Sequence, residues 1–207
     1  MDRLKMWLPG IAGWRKQKTM TPTFNMRTKD MPAEMRLLLD DYPRDSWEAH
    51  PGFKDKTRHW LGAHQMFRKL GELVRTETEV YLGKGRSSDD YAGRLSYYGN
   101  ALVANLHGHH TWEDRSYFPE LSVADPRFDA GLEILEKDHH ELDRVLDKFT
   151  ETANRTIKLS QLDEAQAREE AGQLHGLAET IEAFLVRHLA DEEELVVPII
   201  LHHRLRG

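Results

Sequence analysis

The stretch HHTWEDRSYFP, residues 109–119, returns as HLADEEELVVP at residues 188–198. The two agree in a histidine at the first position, a glutamate four residues on, a further acid after it and a proline at the end. The chain therefore carries an internal repeat whose shared residues are potential metal ligands followed by a helix-stopping residue. Upstream of each copy a further histidine sits on an apolar stripe of helical period. His64 precedes Phe67, Leu70 and Val74, and His139 lies between Leu132, Leu135 and Leu142, Leu146, Phe149.

Helical phase sorts these side chains. Residues four apart lie only about 40° apart around a helix, so His109 with Glu113, and His188 with Glu192, can reach a common point. The same arithmetic turns His107, His110, His140 and His175 toward solvent or a flank, and places Asp114 and Glu193 about 140° from their histidines, also facing solvent. Asn105 and Ser116 face the site from adjacent turns and read either as pocket lining or as packing. Trp112 falls on a flank and reads as structural, and His50, His59, His202 and His203 read as ordinary surface histidines.

Around this repeat the chain divides into four long helical segments. The first runs from about Asp55 to Leu82 and stops at Gly83 and Gly85. The second opens at Ser87, with Asp90 completing a capping box, and stops before Pro119. The third follows Asp125 and Pro126 and runs to about Asn154. The fourth starts near Ser160, with Asp163 completing a box, and continues to Pro198. Short connections make neighbours antiparallel, so the expected fold is all-α, an up-down-up-down four-helix bundle over residues 53–207. Residues 1–52, with Trp7, Trp14 and a short helix in PAEMRLLLDDY, are expected to form an N-terminal arm on the bundle. Counting from the helix ends, His64, His109, His139 and His188 all lie roughly 13 to 20 Å from one end of the bundle, in one layer.

Composition narrows the chemistry. With 39% hydrophobic residues and a mean hydropathy of −0.68, the 207-residue chain suits one core plus an extension. The net charge of −6 comes from interspersed acids and bases, with no basic stripe for nucleic acid. No apolar run is long enough to span a bilayer and no leader-like cleavage site follows Trp14, so a cytoplasmic location is expected. The absence of cysteine removes disulfides, thiolate catalysis and iron-sulfur ligation by this chain, leaving nitrogen and oxygen as ligands.

Four imidazoles (His64, His109, His139, His188) and two carboxylates (Glu113, Glu192) meeting in an apolar core are costly to bury without a cation. They exceed what one zinc ion takes. If both carboxylates bridge and an oxygen joins the ions, two six-coordinate metals keep about two positions for solvent or a small ligand, and this donor set favours iron over manganese or zinc.

With His64, the HxxxE of His109 and Glu113, His139, and the HxxxE of His188 and Glu192 in this order, the chain resembles the hemerythrin-like, or HHE cation-binding, domain family over about residues 54–203. The repeated proline, with Phe118 before the first, matches as well. The resemblance implies a four-helix bundle around two non-haem iron ions, oxo- or hydroxo-bridged, that meet dioxygen, nitric oxide or peroxide. Family members include oxygen carriers, oxygen or iron sensors, and proteins that protect or repair iron-sulfur clusters. The expected function is accordingly binding, sensing or consumption of a small oxidant. The alternative is iron handling or iron-sulfur cluster repair without turnover, and a further possibility is a protein partner engaged through the N-terminal arm. Oxygen carriers of the family place a second histidine four residues after the one on the third helix, where this chain has Asp143. The ligand pattern thus looks more like that of bacterial HHE and iron-centre repair proteins, with Asp143 expected beside the site.

Overall fold

The computed structural model describes residues 24–205, which are helical throughout their ordered elements. Trp7 and Trp14, the arm's two outer tryptophans, lie outside the described residues. A 3-10 turn and a short helix, α1 (Leu37–Asp41), are followed by a second 3-10 stretch, Arg44–Ala49. The four long segments then form α2 (Asp55–Leu82), α3 (Ser88–Trp112), α5 (Asp129–Ser160) and α6 (Glu164–His203). Between α3 and α5 lie a π-turn (Glu113–Tyr117) and α4 (Phe118–Ala124).

Local chemistry accounts for the ends. Ser87 caps α3 by accepting from the Asp90 N–H, as expected. At the start of α6 the cap is Asp163 itself, whose Oδ1 accepts from Ala165 and Gln166 N–H. Ser160 instead closes α5, which runs past Asn154 because Ile157 and Thr156 still have core to face. The α2 terminus is a Schellman motif in which Gly85 N–H reaches Val80 O and Lys84 N–H reaches Tyr81 O. Lys84, not a glycine, takes the left-handed position at φ 61°.

Neither proline stops its helix, contrary to expectation. Ahead of Pro119 the helix widens into the π-turn, with Phe118 N–H bonded to Glu113 O, and the wider turn relieves the clash a proline ring makes with the preceding turn. Pro198 sits inside α6, where Leu195 to Leu201 are all buried beneath α1 and the 3-10 stretches. Burial of that apolar run outweighs one missing backbone N–H.

α2, α3, α5 and α6 form a ring of antiparallel neighbours, shown by pairs such as Thr78 with Tyr91 and His64 with His109 across α2 and α3, and Phe149 against Gly99 across α5 and α3. Two apolar clusters fill it. One gathers Phe67, Val74, Tyr81, Leu106, Leu142 and Leu185 toward the distal end. The other gathers Trp60, Tyr117, Phe118, Leu135 and Leu195 with the arm residues Met31, Met35, Leu38 and Trp47. Along α2 and α5 a ligand-type histidine falls between a member of one cluster and a member of the other: His64 between Trp60 and Phe67, His139 between Leu135 and Leu142. The arm thus closes one end of the bundle, and at Gly131 a Cβ would lie 2.9 Å from Leu195 Cδ2 and 3.0 Å from Met35 Sδ. Among the described residues no helix is long and apolar enough to cross a membrane.

Candidate metal centre

All six sequence-derived residues converge in the layer between the two clusters. His64, Glu113, His188 and Glu192 are 0% exposed, His139 1%, and the His109 side chain 9%. Their ligand-type atoms, together with those of His110, form two groups, His64–His109–Glu113–Glu192 and His110–His139–His188. In the first, His64 Nε2 is 3.0 Å from His109 Nε2, and in the second His139 Nε2 is 3.1 Å from His188 Nε2. The carboxylates lie between the groups. Glu113 is 2.8 Å from His109 Nε2 through Oε1 and 3.8 Å from His139 Nε2 through Oε2. Glu192 Oε2 is 3.5 Å from His64 Nε2 and 3.7 Å from His188 Nε2.

His110 is a correction. It was expected on a flank but is buried, its ring stacked on that of His139 at 4.0 Å. The phase difference from His109 is real; the error lies in allowing α3 a single inward direction. A bundle helix faces two neighbours, and His109 points toward α2, against Trp60 and Phe67, while His110 points toward α5 and α6.

Asp114 and Glu193 are corrected for a related reason. Each lies out of phase with the histidine of its own helix but serves a histidine on another. Glu193 Oε1 bonds His64 Nδ1 at 3.0 Å, and Asp114 Oδ1 bonds His139 Nδ1 at 2.7 Å, brought there by the π-turn. Asp138 Oδ2, which the sequence reading missed, lies 3.5 Å from His188 Nδ1. These contacts commit three Nδ1 atoms to carboxylates and leave the Nε2 atoms facing the centre, the arrangement that orients imidazole ligands. Trp60 was also missed, although it lies one turn before His64. Its indole donates to Glu113 Oε1 at 2.7 Å.

Three expectations do not place residues at the centre. Asn105 is exposed and donates to Ala101 O, and Ser116 is exposed. Asp143 turns outward, its side chain 42% exposed and 3.0 Å from His107 Nδ1.

Charge at this layer is unbalanced without a cation. Burial, and then the neighbouring Glu113, push the Glu192 carboxyl well above the usual range. Burial would raise Glu113 too, but hydrogen bonds from His109 and His64 outweigh it and hold it well below. Burial depresses His188 to about 4. Glu113 Oε2 and both Glu192 oxygens are buried without a hydrogen-bond partner. Such oxygens among converging imidazoles fit a bound cation.

A family model described as "Hemerythrin HHE cation binding domain" matches residues 55–200, more than half of the chain. The chain belongs to the hemerythrin HHE family. No curated protein and no solved structure matches it. The hemerythrin domain thus coincides with the four long helices, and its cation-binding character agrees with the histidine and carboxylate groups they bring together.

The segment before the hemerythrin domain reaches the same centre indirectly. Arg27 Nε and Nη2 donate to Asp138 Oδ2 at 2.9 and 2.7 Å, and Nη2 also to Asp191. Arg44 donates to Glu193 at 2.6 Å, joined there by Arg68 of α2 at 2.9 Å. The arm's guanidinium groups therefore hold the carboxylates that orient His188 and His64. Arg27→Ala is expected to weaken metal binding by about tenfold, at the lower end of what loss of an outer partner costs. Chelator competition against the unaltered protein measures this, and an equal affinity would show that Asp138 holds its position unaided.

Proposed function

We propose that the chain is a non-haem di-iron protein that binds, senses or consumes a small oxidant, namely dioxygen, nitric oxide or peroxide. The observation that carries the reading is the position of Glu113 and Glu192, each within 4.0 Å of a histidine of both groups, as carboxylates shared by two ions would be. His64 and His109 would hold one ion, His139 and His188 the other, and the two glutamates both. Nitrogen and oxygen donors of this kind suit iron better than the softer thiophilic metals.

Bound iron would supply reversible one-electron chemistry toward small oxidants. The protein's residues govern access and protons. A cleft of about 510 Å³, lined by Lys56, His59, Trp60, His109, Trp112, Tyr117 and Glu120, leads from solvent to the His109 edge. Its aromatic walls would bring a small molecule as far as His109, while His64, His139 and His188 stay buried. Glu113 accepts from Trp60, which fixes the orientation of the carboxylate facing that entrance.

Iron-reconstituted protein should contain two irons per chain, and its absorption spectrum should change on addition of peroxide or nitric oxide. One zinc, or no metal after reconstitution, would overturn the proposal. A second reading, iron handling or cluster repair without turnover, draws on His109. It borders the cleft, and among the described residues no carboxylate meets its Nδ1. Transfer of iron to an apo-acceptor, without repeated consumption of oxidant, would favour it.

A further inference from the structure

The cleft that ends at His109 encloses about 510 Å³, far more room than a diatomic molecule needs, since one water takes only about 30 Å³ of liquid. The volume falls in the range of pockets that hold organic molecules, roughly 300 to 1,000 Å³. Its walls are aromatic and set at two angles. The Trp112 and Tyr117 rings stack 4.6 Å apart at 23°, and Trp60 meets Tyr117 edge-on at 5.9 Å and 64°. Trp112 is nonetheless 46% exposed, so a large apolar ring stands half in solvent at the cleft. The polar lining residues Lys56, His59 and Glu120 are exposed, and among the described residues they make no hydrogen bond or ion pair.

We propose that this cleft is a binding site for a neutral planar phenol, an organic ligand distinct from the small oxidant. An aromatic ring seated there meets one wall face to face and another edge to face. Ring quadrupoles favour both arrangements, and a saturated molecule of the same size gains neither. The polar residues select the substituent. Lys56 donates and Glu120 accepts, so a carboxylate would face an anion and an ammonium a cation, whereas a phenolic hydroxyl accepts from one and donates to the other. Of the six residues of the centre only His109 lines the cleft, so an occupant stands between solvent and the centre. The inference goes beyond the two-ion reading and does not depend on metal content.

Calorimetric titration of the full-length protein with beta-naphthol, in iron-reconstituted and metal-free form, tests the assignment. Both forms should bind it at one site, at least about fivefold more tightly than beta-decalol, which keeps the hydroxyl and loses the aromatic rings. Beta-naphthoate, which carries a charge, should bind more weakly than beta-naphthol. Trp112→Ala should weaken binding by at least about fivefold, the factor that one lost aromatic contact corresponds to, and Trp112→Phe should restore most of it. Because Trp112 stands half in solvent, both variants should melt close to the unaltered protein. No saturable binding, or equal binding of beta-naphthol and beta-decalol, would overturn the proposal. So would binding confined to the iron-loaded form, which is ligation of metal, or equal affinity in Trp112→Ala, which places the ligand elsewhere. Tighter binding of beta-naphthoate would overturn the choice of a neutral ligand. An iron count other than two per chain, by contrast, bears on the two-ion reading alone.

Discussion

Glu113→Ala is expected to empty both metal positions. The carboxylate touches His109 on one side and approaches His139 on the other, so on the two-ion reading proposed above its removal would take a ligand from each ion and leave the two closer to bare mutual repulsion. It also strands the Trp60 indole N–H, which has Glu113 as its acceptor. His109→Ala should be milder, releasing the ion nearest the cleft and sparing the one held by His139 and His188. Iron content per chain after reconstitution distinguishes the two variants. A ligand that stabilises the native state does so by about 3 to 4 kcal/mol when supplied at a few hundred to a thousand times its Kd. That increment should vanish from iron-dependent thermal melts of Glu113→Ala. If Glu113→Ala instead keeps one ion, the glutamate serves a single metal and the bridging role fails.

Much of this centre could be read from residue spacing because the relevant information is local. His109 with Glu113 and His188 with Glu192 are one helical turn apart, and their common face follows from helix geometry alone. The helix start at Ser88 follows from capping chemistry, and the agreement in depth from the rise per residue. What escaped the sequence depends on neighbours that are remote along the chain. Glu193 and Asp138 are ordinary acids until α2 and α6 bring His64 and His188 beside them. His110 looks outward only if the helix is given one inner face. Pro119 and Pro198 look like stops only if the packing that holds their helices together is ignored, and that packing includes arm residues far away in sequence. Asp143 shows the converse. Its phase relative to His139 is favourable, but it sits at the edge of α5 that meets His107, so helical phase brings it beside the site without turning it inward.

The centre without metal should be squeezed between acid and base, and cations should relieve only one side. His188 is depressed to about 4, so the fold favours its neutral form. The stability this contributes is complete above 6.5, the ordinary value, and is lost as pH falls toward 4. A shift of that size in a buried group corresponds to roughly 3 kcal/mol at most. Glu192 has the opposite sense. Its raised folded value, caused by burial and by Glu113, stabilises the fold most below 4.5, and the contribution is lost as pH rises through that raised value. A cation demands ionised Glu192, so binding expels a proton and tightens by about tenfold per pH unit wherever Glu192 remains protonated in the metal-free protein. The gap in melting temperature between loaded and metal-free protein should accordingly widen from pH 5 to pH 8. Glu192→Gln keeps the shape of the side chain but cannot ionise. In its metal-free form it should therefore be more stable than the unaltered protein on the alkaline side and lose the decline there, while keeping the acid-side decline that belongs to His188. Parallel melting curves for the two proteins across the whole range would show that Glu192 carries no proton that metal must displace.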